Sequence, residues 1–481
     1  MSQQNLKQKF VDRNDEREFL NSHYNTKNPE FIIIYGRRRV GKTTLISRFL
    51  QNRPGFYFMA SEEGRSGNIR DFADVAGNYL NDQEFKRITF PGWETLFKSL
   101  VSHRNFSPPT GEKVIIVIDE FSYLISKDKS VPSAFQKIWD LILCNENIML
   151  IISGSSVSTM ETEVLGYKSP LYGRRTGQWQ VEPVLYPYIR EFLPYGEEEL
   201  VMVWSVIGGI PAYLWQFNPE ISFWENVLQR MINKGSYLYL EAEILLHYEF
   251  REAGNYISIL RSISSGFTNL SSICQETGLD KSMVSKYLSV LSNLHLIADE
   301  APVTAHAGYR RRHYRILDPY LNFWFAVIYP HRMEIETKKG SEVLESVKAH
   351  ISPYFGKMFE NLCMDLVRTG FFFEDLSFSQ LGRWWFKEDE IDIVGFDEIS
   401  GTVLLCECKW MNLSKKKAKG ILNALKEKSS LVKWKDPERT EVYALIAKEI
   451  AGKDELRAEG FRVFDLSDLR TESLNYLSGT P

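Results

Sequence analysis

Gly36-Arg37-Arg38-Arg39-Val40-Gly41-Lys42-Thr43 fits the spacing G-x-x-x-x-G-K-[ST] at every fixed position. Phosphate binding requires this order. The glycines let backbone amides curl around phosphate oxygens as an anion nest. A helix starting directly afterwards presents its amino terminus to the same anion. Lys42 then reaches the β and γ phosphates of ATP, and the Thr43 hydroxyl is a ligand for Mg²⁺. With Thr44 the nucleotide-binding stretch runs from Gly36 to Thr44. Downstream, Asp119 and Glu120 close an apolar run that begins after Lys113. An acid at the end of a buried strand beside such a loop suits the outer shell of the same Mg²⁺. The adjacent Glu120 is placed to polarise the attacking water. Ser153-Gly154-Ser155-Ser156 ends the next apolar run, and a hydroxyl there can sense the γ-phosphate. Ser153 is the first choice and Ser155 the second.

A second constellation lies near the carboxyl end. Asp392 stands between apolar residues in Ile391–Val394, and Glu407 and Lys409 are two apart in Val403–Lys409. On a strand, Glu407 and Lys409 point to one face. If the two runs pair as a hairpin, Asp392 meets Glu407. The two acids can then hold Mg²⁺ or Mn²⁺, while Lys409 positions or activates a hydrolytic water. Glu360, in the helix-like run Tyr354–Val367, is a candidate third acid.

A third group is basic. Asn269–Leu279 reads as a helix stopping near Gly278, and Asp280 or Ser282 can cap the next helix, Lys281–Leu294. Val284, Leu288, Leu291 and Leu294 share one face of that second helix. Two helices joined by a short glycine-containing turn form the helix-turn-helix pattern. Leu296–Val303 and Arg312–Ile316 can pair as a wing whose tip holds Arg310, Arg311, Arg312 and His313. The arginines suit DNA phosphates. Lys281, Ser282, Ser285 and Lys286 suit a helix in the major groove.

These residues need elements to hold them. Phe31–Tyr35, Phe56–Met59, Val114–Ile118 and Ile148–Ile152 are continuous apolar runs, as expected of strands buried on both faces of a parallel sheet. Thr43–Gln51 reads as the helix after the phosphate loop. Strands alternating with helices imply an α/β layer architecture. The texture then becomes aromatic and helical to about residue 248, like a lid broken at Gly208-Gly209-Ile210-Pro211. Glu334–Glu342 is polar and reads as a linker. A Lys-rich helix spans Ser414–Leu431. The expected segments are an ATPase core (1–160), a helical lid (161–248), a winged helix (249–335) and a nuclease-like α/β domain (343–481).

At 481 residues the chain is long enough for three or four domains of about 150 residues. Hydrophobic residues at 44% and charged residues at 25% describe a folded protein with ample core material. A net charge of −4 excludes a uniformly basic nucleic-acid coat but not a local basic surface. Five scattered cysteines imply a reduced, intracellular protein without a disulfide framework. Cys406 and Cys408 lack zinc spacing. No apolar run of about 18 residues exists and the amino terminus is polar, so no membrane span is expected and the cytoplasm is the expected location. The same absence counts against an accessory ATPase of a transporter or toxin.

FVDRNDEREFL, YGRRRVGKTTLI, VIIVIDEFSYL, LIISGSS, PLYGRR and GGIPAYL occur in that order. Together they resemble the archaeal-type AAA/STAND ATPases, a branch of the P-loop NTPases. The resemblance implies that Phe10, Val11, Asp12 and Arg13, with Glu16, lie near the adenine; many members carry Gly where Asp12 stands. It implies that Pro211 belongs to a Gly-x-Pro turn near the nucleotide. It also implies an arginine finger at Arg174 or Arg175, acting in cis or from a neighbouring subunit. YRILDPYLNFWFAVIYP resembles the segment after the winged helix in the same group. The pattern Asp392…Glu407-x-Lys409 resembles the PD-(D/E)xK nuclease fold and the domain of unknown function often fused to these ATPases. Glu390-Ile391-Asp392 stands in place of Pro-Asp. The expected protein is therefore an ATP-hydrolysing, DNA-associated ATPase with a metal-dependent nuclease-like domain. The alternative is an ATP-driven switch, assembling with itself or a partner protein, whose last domain docks nucleic acid or protein without cutting.

Overall fold

The computed structural model describes residues 10–250, 252–306, 308–435 and 438–479. They form two compact units. The first runs to Val184 and includes Ile210–Ala212; the second contains the rest.

In the first unit, β1 (Glu30–Tyr35), β2 (Gly55–Met59), β3 (Val114–Asp119), β4 (Ile148–Gly154) and β5 (Gly177–Gln180) form one sheet in the order β2-β3-β4-β1-β5. All its pairings are parallel. Every residue of β1, β3 and β4 is buried. Phe31, Ile33 and Tyr35 enter one core, and Ile32 and Ile34 enter another on the opposite face. Continuous apolar runs are what two covered faces require. β5, sequence GQWQ, is too short and polar to announce itself as a strand. It extends the unit past residue 160, to Val184. Because the strands are parallel, β1, β3 and β4 release their carboxyl ends along one edge, where ligands of open α/β sheets bind.

In the second unit, Asn269 caps the helix Leu270–Thr277 through a reciprocal capping box. Gly278 ends it at φ +69°, and Asp280 caps the next helix, Lys281–Asn293. The wing is shorter than its sequence implies. β6 (Ile297–Glu300) pairs antiparallel with β7 (His313–Ile316), and Val303 has left the hairpin. The second sheet has the order β12-β11-β10-β9-β8, from β8 (Gln380–Phe386), β9 (Asp389–Asp397), β10 (Thr402–Leu413), β11 (Thr440–Ile450) and β12 (Arg462–Phe464). The Val303 N–H donates to the Arg383 carbonyl on edge strand β8 at 2.8 Å. The expected linker at 334–342 is not one. Helices Arg332–Glu336 and Gly340–His350 occupy most of it, joined by a tight turn with Lys338 at φ +64°. Its polar residues sit on short helices of the same unit. The helices expected over Tyr354–Val367 and Ser414–Leu431 span Ser352–Arg368 and Lys415–Ser429, the latter capped by Ser414.

Candidate functional site

The phosphate loop leaves β1 at Gly36, whose φ is +150°. A Cβ there would lie 2.3 Å from the Val181 carbonyl oxygen, so only glycine fits. Gly41, at φ +106°, opens the helix Lys42–Leu50. Lys42 is buried, and its ammonium donates to the carbonyls of Gly36 (2.8 Å) and Arg37 (2.9 Å), arching the side chain back over the loop. The Thr43 hydroxyl donates to Asp119 Oδ2 at 2.9 Å. The Glu120 N–H donates to Asp119 Oδ1 at 2.9 Å. Tyr57 on β2 also donates its phenol hydrogen to Asp119 Oδ2. Burial and the Asp119 charge hold that phenol protonated, well above its ordinary range. Glu120 adopts φ +54°, and its Oε2 accepts from Ser155 Oγ at 2.7 Å. Ser153 Oγ is buried, with no hydrogen-bond partner among the described residues. The hydroxyl that meets Glu120 is therefore that of Ser155, just past the end of β4, not that of Ser153.

The remaining loop residues divide by role. Arg38 donates to the Tyr123 hydroxyl at 2.6 Å. Val40 is buried, and its carbonyl accepts from Arg13 at 2.9 Å. Arg13 also pairs with Glu16 (3.0 Å) and donates to the Glu182 carbonyl (2.8 Å). It thus ties the loop to the chain leaving β5. Arg37, Arg39 and Thr44 are half-buried, and Arg39 adopts φ +69°. Phe10 packs under the Arg48 guanidinium at 4.7 Å, Val11 is half-buried and Asp12 adopts φ +55°. Pro211 begins the short helix Pro211–Leu214. Arg174 is tied to Asp140 at 3.2 Å. Arg175 lies over the Tyr172 ring at 5.7 Å and is close enough to Tyr35, the last residue of β1, to act on its hydroxyl. Thr43 and Asp119 are hard oxygen donors held 2.9 Å apart, which suits Mg²⁺.

In the second unit β9 and β10 pair antiparallel, with Cys406 opposite Ile393. That register brings Asp392 beside Glu407. The Lys409 ammonium lies 3.3 Å from Asp392 Oδ2 and 2.6 Å from Glu407 Oε2. The Cys408 N–H donates to Asp392 Oδ2 at 2.8 Å. Burial first, and the Glu407 charge second, raise the Asp392 carboxyl above the usual carboxylate range. Burial opposes the charge on Lys409, but Asp392 and Glu407 outweigh it and push the ammonium up. Glu360 does not join as a third acid. It pairs with Lys357 (2.8 Å) and Arg383 (2.9 Å) instead, because the half-buried carboxylate finds a half-buried guanidinium. Among the described residues no three His, Cys, Asp or Glu side chains converge as a metal-binding group. Lys428 lies in the expected Lys-rich helix, where no local pattern sets it apart from its neighbours. Its ammonium crosses from the Lys-rich helix to Glu407 Oε1 at 3.1 Å and to the Glu390 carbonyl at 2.8 Å. Asp392 further lines a cavity of about 830 Å³, walled by His313 and Arg315 of β7, Tyr354 and Lys357 of the helix Ser352–Arg368, and Trp385 of β8.

Residues 10–217 match the family described as an ATPase domain predominantly from Archaea. Residues 324–421 match a family of archaeal and bacterial proteins of unknown function. An uncharacterized protein of Methanocaldococcus jannaschii is 34% identical over 462 residues, spanning 95% of this chain and 99% of its own length. The chain belongs to this archaeal-type ATPase family. An uncharacterized ATP-binding protein of the same organism is 54% identical over 44 residues, 9% of this chain and 75% of its own length. Among solved structures, a Walker-type ATPase of Pyrococcus abyssi is 20% identical, with a TM-score of 0.48 over 66% of this chain and 96% of its own. No helix among the described residues of the ATPase is long and apolar enough to cross a membrane.

The basic surface of the ATPase is only partly as expected. Lys281, Ser282, Ser285 and Lys286 are exposed on the second helix, with Ser282 Oγ bonded to the capping Asp280 at 2.6 Å. Arg310 and Arg311 are exposed beside the wing. Arg312 pairs with Asp299 at 3.3 Å. His313 is not at a tip: it lies within β7, bonded to Thr268 and edge-on to Trp385 at 5.0 Å. Burial in that packing pushes its pKa down.

Proposed function

We propose that this ATPase binds and hydrolyses ATP with Mg²⁺ at Lys42, Thr43, Asp119 and Glu120, and uses the nucleotide to control a nucleic-acid site in its carboxyl-terminal sheet. Lys42 takes the β and γ phosphates. Glu120 orients the attacking water and Ser155 orients Glu120. Arg175 is the better placed of the two arginines to act as finger, since Asp140 holds Arg174. Phe10, Val11, Arg13 and Pro211 form the adenine side. Arg310, Arg311, Lys281 and Lys286 contact DNA phosphates, with Ser282 and Ser285 facing the groove.

The observation that carries the nucleic-acid half is the convergence of Asp392, Glu407 and Lys409 across β9 and β10. Two hard carboxylates and an ammonium are the parts of a metal-dependent phosphodiesterase. Asp392 and Glu407 would hold Mg²⁺ or Mn²⁺, and the ion would supply Lewis-acid stabilisation of the phosphate. A second reading, in which the site binds nucleic acid without cutting it, is favoured by Glu360. Its pairing with Arg383 leaves two acids, both already engaged by lysines. Incubation of the protein with single- and double-stranded DNA and RNA, with Mg²⁺ or Mn²⁺ and with or without ATP, separates the readings. Cleavage lost in Asp392→Ala and Lys409→Ala supports the nuclease. Binding without cleavage under every condition supports the docking site.

A further inference from the structure

β2 is the outer strand of the nucleotide sheet, and Tyr57 lies opposite Val117 of β3. Residues two apart on a strand share a face. Tyr57 and Asp119 are therefore diagonal neighbours on one side of the sheet, within reach of an aromatic side chain. The Tyr57 phenol hydrogen goes to Asp119 Oδ2. That oxygen also takes the Thr43 hydroxyl hydrogen, while Oδ1 takes the Glu120 N–H. Three donors thus fix the rotation of one buried carboxylate, and Tyr57 is the only one of them contributed from outside the two nucleotide motifs. The Tyr57 hydroxyl also lies within hydrogen-bonding reach of the Thr43 hydroxyl, so the phenol meets both oxygens that would face a cation.

We infer that Tyr57 is a positioning residue of the nucleotide site, which holds Asp119 in the orientation that directs Thr43 and Asp119 together at Mg²⁺. The inference rests on the assignment of ATP and Mg²⁺ to this loop. It makes a distinction that a packing role does not. The phosphates would be held by the loop amides and Lys42, whereas the Tyr57 hydroxyl meets Asp119 and Thr43, the oxygens on the cation side. Loss of the phenol should therefore spare metal-free ATP and weaken only the metal. The ring packs partly against the core that contains Phe49 and Val117, and Tyr57→Phe keeps that packing.

The test uses the full-length protein and a fluorescent ATP analogue, titrated first in EDTA and then with Mn²⁺. Electron paramagnetic resonance counts bound Mn²⁺ directly. In Tyr57→Phe, affinity in EDTA should stay within about twofold of the parent. The Mn²⁺ concentration that half-fills the ATP complex should rise about tenfold, the equivalent of about 1.4 kcal/mol and in the range of a hydrogen bond to a charged group. Asp119→Asn should raise it further, and the double variant should match Asp119→Asn alone. An unchanged Mn²⁺ midpoint in Tyr57→Phe would overturn the inference. So would an equal fall in affinity with and without metal, which marks a packing defect. Failure of the parent protein to bind the analogue at all would instead sink the ATP assignment.

Discussion

Ser155 Oγ donates to Glu120 Oε2 at 2.7 Å, although Ser155 lies just past the end of β4 and Glu120 just past the end of β3. The sheet order places β4 directly beside β3, so the two strand ends deliver an acid and its orienting hydroxyl to one point. Glu120→Gln should lower ATP turnover by at least about a hundredfold while leaving ATP binding intact, as expected for loss of a general base. Ser155→Ala should lower turnover about tenfold, by the loss of one hydrogen bond to a charged group. Ser153→Ala should change it little. Phosphate release and nucleotide binding measured side by side check this; a larger defect in Ser153→Ala than in Ser155→Ala would reverse the assignment.

Lys42→Ala should abolish ATP hydrolysis. The ammonium donates to the loop carbonyls of Gly36 and Arg37, which holds it over the loop where the β and γ phosphates would sit. Thermal unfolding should show a folded protein. Turnover that survives this change would place the hydrolytic site elsewhere.

Asp392 predicts a pH dependence of opposite sign for stability and for cation binding. Its folded pKa is raised above the ordinary value of about 3.9 by burial and Glu407. Within the window from that value up to the raised one, the folded state holds more protons than the unfolded state. The Asp392 contribution to stability therefore falls as pH rises through the window. Cation affinity rises through the same window, because the carboxylate must be ionised to bind. Denaturant unfolding and Mn²⁺ titration at about pH 4 and pH 7.5 test both signs, and Asp392→Asn should flatten the stability term. A pH dependence of stability identical in the parent and in Asp392→Asn would contradict the assignment.

Arg383 is 12% exposed in its side chain and pairs with Glu360 at 2.9 Å and Glu300 at 3.6 Å. Arg383→Ala opens a void beside two half-buried carboxylates that keep Lys357 and Arg315 as partners, which should cost about 1–3 kcal/mol in denaturant unfolding of the second unit. Arg368→Ala removes an exposed pair with Asp365 and should cost less than about 1 kcal/mol. Equal costs would mean that the Arg383 network is not a buried one.

The nucleotide loop could be read from the chain because phosphate binding leaves few alternatives at its glycines, Lys42 and Thr43. β1, β3 and β4 were equally legible, since burial on both faces writes itself as unbroken apolar runs. The other half of the site came from register and strand order. Tyr57 lies 62 residues from Asp119, and Lys428 lies 21 from Glu407. No local pattern distinguishes either from a solvated tyrosine or lysine. The choice between Ser153 and Ser155 turns on which side of a strand end faces Glu120. Glu360 lies on the expected helix but away from the two acids, because Arg383, its partner, becomes its neighbour only through the fold. The segment at 334–342 looked like a linker because short helices with few buried positions have the composition of loops.

The bond from Val303 to the edge of β8, together with the Arg315–Glu300–Arg383–Glu360 chain of charges, fastens the wing hairpin to the carboxyl-terminal sheet. A hairpin fastened in this way cannot scan a surface independently of that sheet. If Arg310 and Arg311 grip a duplex, as proposed, it would be presented to Asp392 at a set offset, as a workpiece clamped at a fixed distance from the tool. The spacing between a gripped site and any cut would then be a constant of the protein rather than a property of the sequence it grips.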